Sequence, residues 1–240
     1  MSVTWNPWHG CTKYSEGCKN CYVYRIDELA GRQSYQVHKN ADFDLPIKRN
    51  RKGEYKIKSG ETVYTCFSSD FFLDRADGWR DDAWRMIAER RDLKFIMFTK
   101  RVERIAECLP EGWGDGSNYS HVTIGCTCEN QRRADQRMPV FLALPIKHRV
   151  VICEPLLEKI DMSPYLDERI QSVSAGGESG PDARVCDYDW VLCLRNACAD
   201  AGVSFNFHQT GAKFCKDGKI YTIPRKYQQE QARRAGIDVE

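Results

Sequence analysis

Short β-type runs alternate with helical patterns along this 240-residue chain, and that alternation limits its fold more than any other feature. The runs lie at 62–67, 94–99, 121–125, 149–153, 170–175 and 203–207. Each is rich in β-branched or aromatic residues and close to continuous in apolar character, as for strands covered on both faces. Between them, 80–91 places Trp84, Ile87 and Ala88 on one helical face, 101–108 is short, and 129–144 starts polar. Residues 188–201 carry Val191, Leu192, Arg195 and Cys198 at helical spacing, with Gly202 as the stop. A first helix is expected from Cys21 to about Leu29, ending at Gly31. The intervals suit parallel crossovers. The expected fold is therefore α/β and mainly parallel, an open or partial barrel of about six or seven strands. A doubly wound open sheet is the alternative. A closed eight-stranded barrel would need a longer chain.

The length is enough for one core, assigned here to residues 1–211, with a basic excursion at 46–59 and an extension at 212–240. The excursion holds Lys48, Arg49, Arg51, Lys52, Lys56 and Lys58 against the single acid Glu54. It reads as a solvated loop or as a clamp for a phosphate-bearing partner. In the extension, Lys216-Asp217-Gly218-Lys219 suits a tight hairpin, and a basic helix is expected after it. A net charge of +2 excludes a polycation that holds nucleic acid by bulk charge alone. No run approaches the roughly 18 apolar residues of a membrane span. The first residues lack the basic start and apolar stretch of a signal peptide, so a cytoplasmic protein without a membrane partner is expected.

Ligands of parallel α/β folds bind beyond the carboxyl ends of the strands. Here those ends carry Ser68-Ser69-Asp70, Thr99-Lys100-Arg101, Glu129-Asn130, Glu154-Pro155, Gly176-Gly177-Glu178 and His208-Gln209. Any one could be a helix cap; together they describe a polar mouth. The glycines Gly176 and Gly177 permit close approach of a ligand or a positive φ, and Glu178 beside them can accept from an ammonium.

Twelve cysteines are present, and three of them, Cys11, Cys18 and Cys21, share one Gly-flanked loop of form C-x6-C-x2-C. In a reducing compartment a disulfide framework is not expected. Three readings fit the loop: an iron–sulfur cluster with three protein thiolates and one open iron, a structural zinc site completed by His9, or unligated thiols. Cys126, Cys128 and Cys153 fall near two strand ends, where buried packing or an auxiliary metal site are the alternatives.

Trp5-Asn6-Pro7, Gly10-Cys11-Thr12, Ser15, Gly17-Cys18 and Asn20-Cys21-Tyr22 resemble the opening of the phage-associated three-cysteine-motif proteins, a branch of the radical S-adenosylmethionine (SAM) superfamily. The resemblance continues through Phe98-Thr99-Lys100-Arg101, Gly125 with Glu129-Asn130-Gln131, Glu154-Pro155-Leu156-Leu157, Gly176-Gly177-Glu178-Ser179-Gly180 and Gln209 with Gly211. It implies a partial (β/α)6-type TIM barrel and a 4Fe-4S cluster on Cys11, Cys18 and Cys21 whose open iron is chelated by SAM. It also implies reductive cleavage of SAM to a 5′-deoxyadenosyl radical that abstracts hydrogen from a substrate, and an external electron donor. The superfamily's usual first gap is three residues rather than six, and its Gly-Gly-Glu usually follows the second strand, where this chain has Ser68-Ser69-Asp70. Under the resemblance, Asp70, Ser68, Glu129, Gly176, Gly177 and Glu178 are candidates for SAM, and Glu154, Lys100 and Gln209 for catalysis. The expected substrate is open, a nucleotide or nucleic acid being the reading the basic segments favour, and a protein partner is also allowed. The competing function is a non-catalytic, zinc-stabilised module that binds nucleic acid or protein.

Overall fold

The computed structural model describes residues 2–240. In chain order it contains β1 (Ser2–Trp5), β2 (Trp8–His9), α1 (Tyr22–Leu29), β3 (His38–Lys39), β4 (Thr62–Thr65), α2 (Asp77–Glu89), β5 (Lys94–Thr99), α3 (Ile105–Cys108), β6 (Val122–Thr127), α4 (Gln131–Ala143), β7 (His148–Cys153), β8 (Ile170–Gly176), β9 (Cys186–Asp187), α5 (Tyr188–Ala201), β10 (Ser204–Gln209), β11 (Lys213–Lys216), β12 (Lys219–Thr222) and α6 (Arg225–Arg234). The main sheet has seven strands in the order β1-β4-β5-β6-β7-β8-β10. The fold is α/β with a parallel sheet, as the alternation of runs and helical patterns requires. All six sequence-derived strands are present within two residues of their expected bounds. The seventh, β1, is only Ser-Val-Thr-Trp, too short to stand out; parallel pairing of Val3 with Val63 and Trp5 with Thr65 defines it.

The chain divides into two compact units, the first comprising the residues up to Tyr14, Val23–Gly125 and Leu144–His148. Here β1, β4 and β5 run parallel in register. The buried rows are alternate residues, such as Phe95, Met97 and Thr99 of β5, rather than the continuous run expected. Aromatic rings fill the core: Trp84 meets Phe71 and Trp113 edge-on at 5.0 and 5.6 Å. The Trp84 indole N–H is satisfied by the Cys108 carbonyl at 2.8 Å, as a buried ring N–H demands. The basic excursion is a braced hairpin, not a loose loop. Arg49 pairs with Tyr55 across it, and the Tyr55 ring lies between the Arg49 and Arg90 guanidinium groups at 3.8 and 4.0 Å. Buried Arg90 donates to the carbonyls of Pro46 and Ile57. Arg51, Lys52, Lys56 and Lys58 remain exposed.

The second unit comprises Ser15–Tyr22, Cys126–Ala143 and Arg149–Glu240. Its strands β7, β8 and β10 are parallel, with a register shift between Phe207 and Gln209. Helix α5 begins where the Asp187 carboxylate accepts from the Asp189 N–H, and it ends at Gly202 with φ +65°. Its buried stripe is Val191, Leu194 and Cys198; Leu192 and Arg195 are half-buried beside it. The segment after Gly211 is built into this unit. Phe205 and Val239 exchange backbone hydrogen bonds of 2.8 and 2.9 Å, and Thr210 N–H donates to Gln228 O at 3.2 Å. The expected hairpin is β11 with β12, Lys216 opposite Lys219, turning through Asp217 and Gly218 at φ +53° and +71°. Its edges join β9 to make a small sheet, β12-β11-β9. Among the described residues no helix is long and apolar enough to cross a membrane.

Candidate functional site

In the first unit, the start of the cysteine loop is tied to the ends of β4 and β5. Gly10 takes φ +91°, and a Cβ there would stand 2.7 Å from the Ser34 carbonyl, so only glycine fits. Cys11 N–H donates to Ser34 O at 2.7 Å, and Gly10 N–H to Ser68 O at 3.2 Å. Ser69 Oγ donates to the Gly10 carbonyl. Asp70, at the end of β4, is 5 % exposed. Its carboxylate accepts from Thr99 Oγ1 at 2.8 Å, Phe72 N–H at 3.0 Å, Lys100 N–H at 3.2 Å and Arg101 Nη1 at 3.1 Å. The same guanidinium reaches Thr12 O at 2.7 Å and Cys11 Sγ at 3.8 Å. Asp70 thus fixes a buried cation against the first cysteine.

His9 has its Nε2 2.9 Å from both oxygens of Asp27, which is 1 % exposed and also accepts from Ser34 and Arg32. This corner joins β2, α1 and the following loop.

In the second unit, Cys18 and Cys21 lie one turn apart. Cys18 N–H donates to Ser15 O at 2.9 Å and Cys21 N–H to Cys18 O at 3.4 Å, the turn that opens into α1. Such i, i+3 neighbours sit on one side of a turn. Two buried carboxylates hold it. Glu129, 0 % exposed beyond β6, accepts from Ser15 Oγ, from Gly17 N–H at 3.2 Å and from Arg137 Nη1 at 2.6 Å. Glu178, beyond β8, accepts from Asn20 Nδ2 at 2.9 Å, Arg184 N–H at 3.0 Å and Arg184 Nη2 at 2.6 Å. Burial alone would push the Glu178 carboxyl up; the hydrogen bonds from Arg184 and Asn20 outweigh it and hold the group below its ordinary range. Between these anchors Glu16 pairs with Arg133 at 2.8 Å, which lowers its pKa to about 2.

A third cluster in that unit gathers two of the catalytic candidates. Glu154, after β7, accepts from Gln209 Nε2 and faces His208 Nδ1 at 2.8 Å. Gln209 Oε1 accepts from Arg225 Nη1 at 2.8 Å, so α6 contributes to the rim. The Glu154 hydrogen bond raises the His208 pKa against the opposing effect of burial. Gly176 makes room for this carboxylate: a Cβ there would lie 2.9 Å from Glu154 Cδ. Gly177 makes room for the chain itself, since its Cβ would lie 2.2 Å from Thr210 O. The close approach expected of the two glycines is therefore to Glu154 and to 210–211, and neither has a positive φ.

A model of the family described as "Protein of unknown function (DUF5131)" matches residues 1–237. The chain belongs to that family. No curated protein and no solved structure matches it.

In this DUF5131 chain, the other candidates are placed as follows. Ser68 is half-buried, its N–H donating to Asn6 Oδ1 at 3.0 Å and its hydroxyl to Trp8 O at 3.4 Å. Lys100 is half-buried beside Asp70, to which its backbone N–H donates. Cys126 and Cys128 have sulfurs 3.6 Å apart, fully buried like Cys153. Burial pushes the Cys126 and Cys153 thiols well up, which suits packing as neutral thiols. Cys11, Cys18 and Cys21 are only half-buried and, like every other cysteine, free of disulfides. Among the described residues no three His, Cys, Asp or Glu side chains stand grouped as a metal set. Arg101, Ser15 and Asn20 lie in motifs that the sequence marks, though without their partners; Arg137 and Arg184 are missed, because they look like ordinary surface cations until the fold buries or pairs them.

Proposed function

We propose that this DUF5131 chain is a radical SAM-type enzyme on a partial (β/α)6-type barrel, using a 4Fe-4S cluster and SAM. The observation that supports it best is the investment of buried charge in the cysteine loop. Asp70 with Arg101 holds the Cys11 segment, Glu129 holds Ser15 and Gly17 before Cys18, and Glu178 holds Asn20 before Cys21. A loop of unligated thiols has no need of three such anchors, because each buried charge is costly unless it is paired and hydrogen-bonded. The donors suit the cluster: three thiols outside any disulfide, in a polar loop, one beside a guanidinium.

When bound, a reduced cluster of this kind supplies the electron that cleaves SAM and yields the 5′-deoxyadenosyl radical. In this reading the residues divide the remaining work. Cys11, Cys18 and Cys21 are the ligands. Arg101 offsets thiolate charge at Cys11. Asp70, Glu129 and Glu178 are positioning residues whose anchoring keeps the loop in one conformation. In the first unit Lys100 lies beside Asp70 and Ser68 is bound to Asn6 and Trp8; in the second, Gly176 and Gly177 clear space for Glu154 and for 210–211. Glu154, His208 and Gln209 form the cluster able to hold or move a proton near a substrate. An external electron donor is required, and the work is assigned to the cytoplasm.

The test is anaerobic reconstitution with iron and sulfide. The protein should turn brown, hold about four iron and four sulfide per chain, and cleave SAM when reduced with dithionite. The C11A/C18A/C21A variant should stay folded and lose the iron. Normal iron binding by that variant, or a colourless wild-type protein with one zinc, refutes the reading.

A further inference from the structure

In the second unit, the hairpin β11–β12 and helix α6 present tyrosine rings and cations that neither the core nor the cysteine loop uses. Register puts Phe214 opposite Tyr221 and Lys216 opposite Lys219. Residues two apart in a strand share a face, and so do directly opposed residues. Phe214, Lys216, Lys219 and Tyr221 therefore stand on one face. Tyr188, at the start of α5, joins that face, because its ring meets Phe214 edge-on at 5.9 Å. Lys216 Nζ lies 4.9 Å over the Tyr188 ring, and Lys219 Nζ lies 5.1 Å over Tyr221. The pairing repeats on α6, where Lys226 Nζ lies 4.7 Å over Tyr227. Tyr221 and Tyr227 are 43 % and 42 % exposed. All four residues of β12 are exposed, and none is acidic. Asp217 sits in the turn between the two lysines, and Asp187 is hydrogen-bonded to Cys215, whose side chain lies on the opposite face.

We propose that this tyrosine–lysine face binds single-stranded nucleic acid. A flat ring left open to solvent stacks on an unpaired base, and a cation at its edge reaches the adjoining phosphate. A duplex keeps its bases stacked inside and offers these rings nothing. The face is continuous in chain with Arg225, which touches Gln209 in the cluster with Glu154 and His208. The inference names a substrate class for the proposed enzyme and rests on that reading for the fate of the strand. Binding itself requires neither cluster nor SAM.

The experiment is fluorescence anisotropy on the full chain with labelled oligo-dT and oligo-U of about 16 nucleotides, and with a duplex of equal length, over a salt series. Both single strands, or one of them, should bind more tightly than the duplex; the stronger arm identifies the sugar. Tyr221→Ala with Tyr227→Ala should weaken binding at least tenfold, and Tyr→Phe at both should preserve it. Each of Lys216→Gln and Lys219→Gln should reduce the salt slope by about 0.7. Arg51→Glu with Lys52→Glu, in the other unit, should leave affinity unchanged. Absence of binding to either strand at low salt overturns the proposal. So does affinity that ignores the tyrosines, or that depends on the 46–59 hairpin. These tyrosines are solvent-exposed and outside the cysteine loop, so iron loading remains intact in the variants. A failure here is therefore distinct from a failure of the enzyme reading.

Discussion

Replacing Glu129 by Ala removes the carboxylate that faces Arg137 Nη1 at 2.6 Å, in a place where Glu129 is 0 % and Arg137 3 % exposed. Two consequences follow from the geometry. Arg137 becomes a buried cation without its counter-charge, and Gly17 N–H and Ser15 Oγ lose their acceptor. Breaking a buried ion pair by removing one member costs about 3–5 kcal/mol. For a chain of this size each kcal/mol is worth roughly 2–4 °C in melting temperature, so the variant should melt roughly 6–20 °C lower. Urea unfolding followed by circular dichroism measures the loss directly. Most of the penalty lies in the stranded charge rather than in lost attraction, and that is testable. In E129A/R137M no charge is stranded, so the double variant should recover most of the stability lost in E129A. Yet the turn at Cys18 should stay loose in both, because Ser15 and Gly17 remain without their acceptor, and iron loading should stay impaired. An E129A variant within about 1 kcal/mol of wild type, or a double variant as unstable as the single, would falsify the anchoring argument.

Three further outcomes are expected. Gly177→Ala should prevent normal folding, because the new methyl meets Thr210 backbone at 2.2 Å, whereas Gly176→Ala should fold with the Glu154 side chain displaced; a soluble, native-like G177A by circular dichroism contradicts this. The His208 pKa is raised by Glu154, so the pair's contribution is present at pH below the ordinary histidine value of 6.5 and fades as pH rises through the folded value. Titration of the His208 ring by NMR should show the elevated value falling in Glu154→Gln. The Glu178 carboxyl is held below its ordinary value of 4.5, so its contribution is complete above that pH and is lost as pH falls through the lower, folded value; Arg184→Met should flatten that acid limb of the stability profile.

What the sequence determined by itself was the order of six strands and the helices between them, the span of α5 with its stop at Gly202, and the hairpin at Asp217-Gly218. All of these rest on local rules: apolar periodicity, capping and positive-φ turns. It also marked Asp70, Glu129 and Glu178 as polar residues at strand ends. What those carboxylates face was decided only by tertiary structure. A carboxylate read alone is an open acceptor, yet the fold brings Arg101 to Asp70, Arg137 to Glu129 and Arg184 to Glu178. The same holds for Gly177, whose neighbour Thr210 is 33 positions away in the chain. Periodicity carries information over a few residues, whereas charge pairing and steric clearance depend on segments that meet only after the sheet has formed.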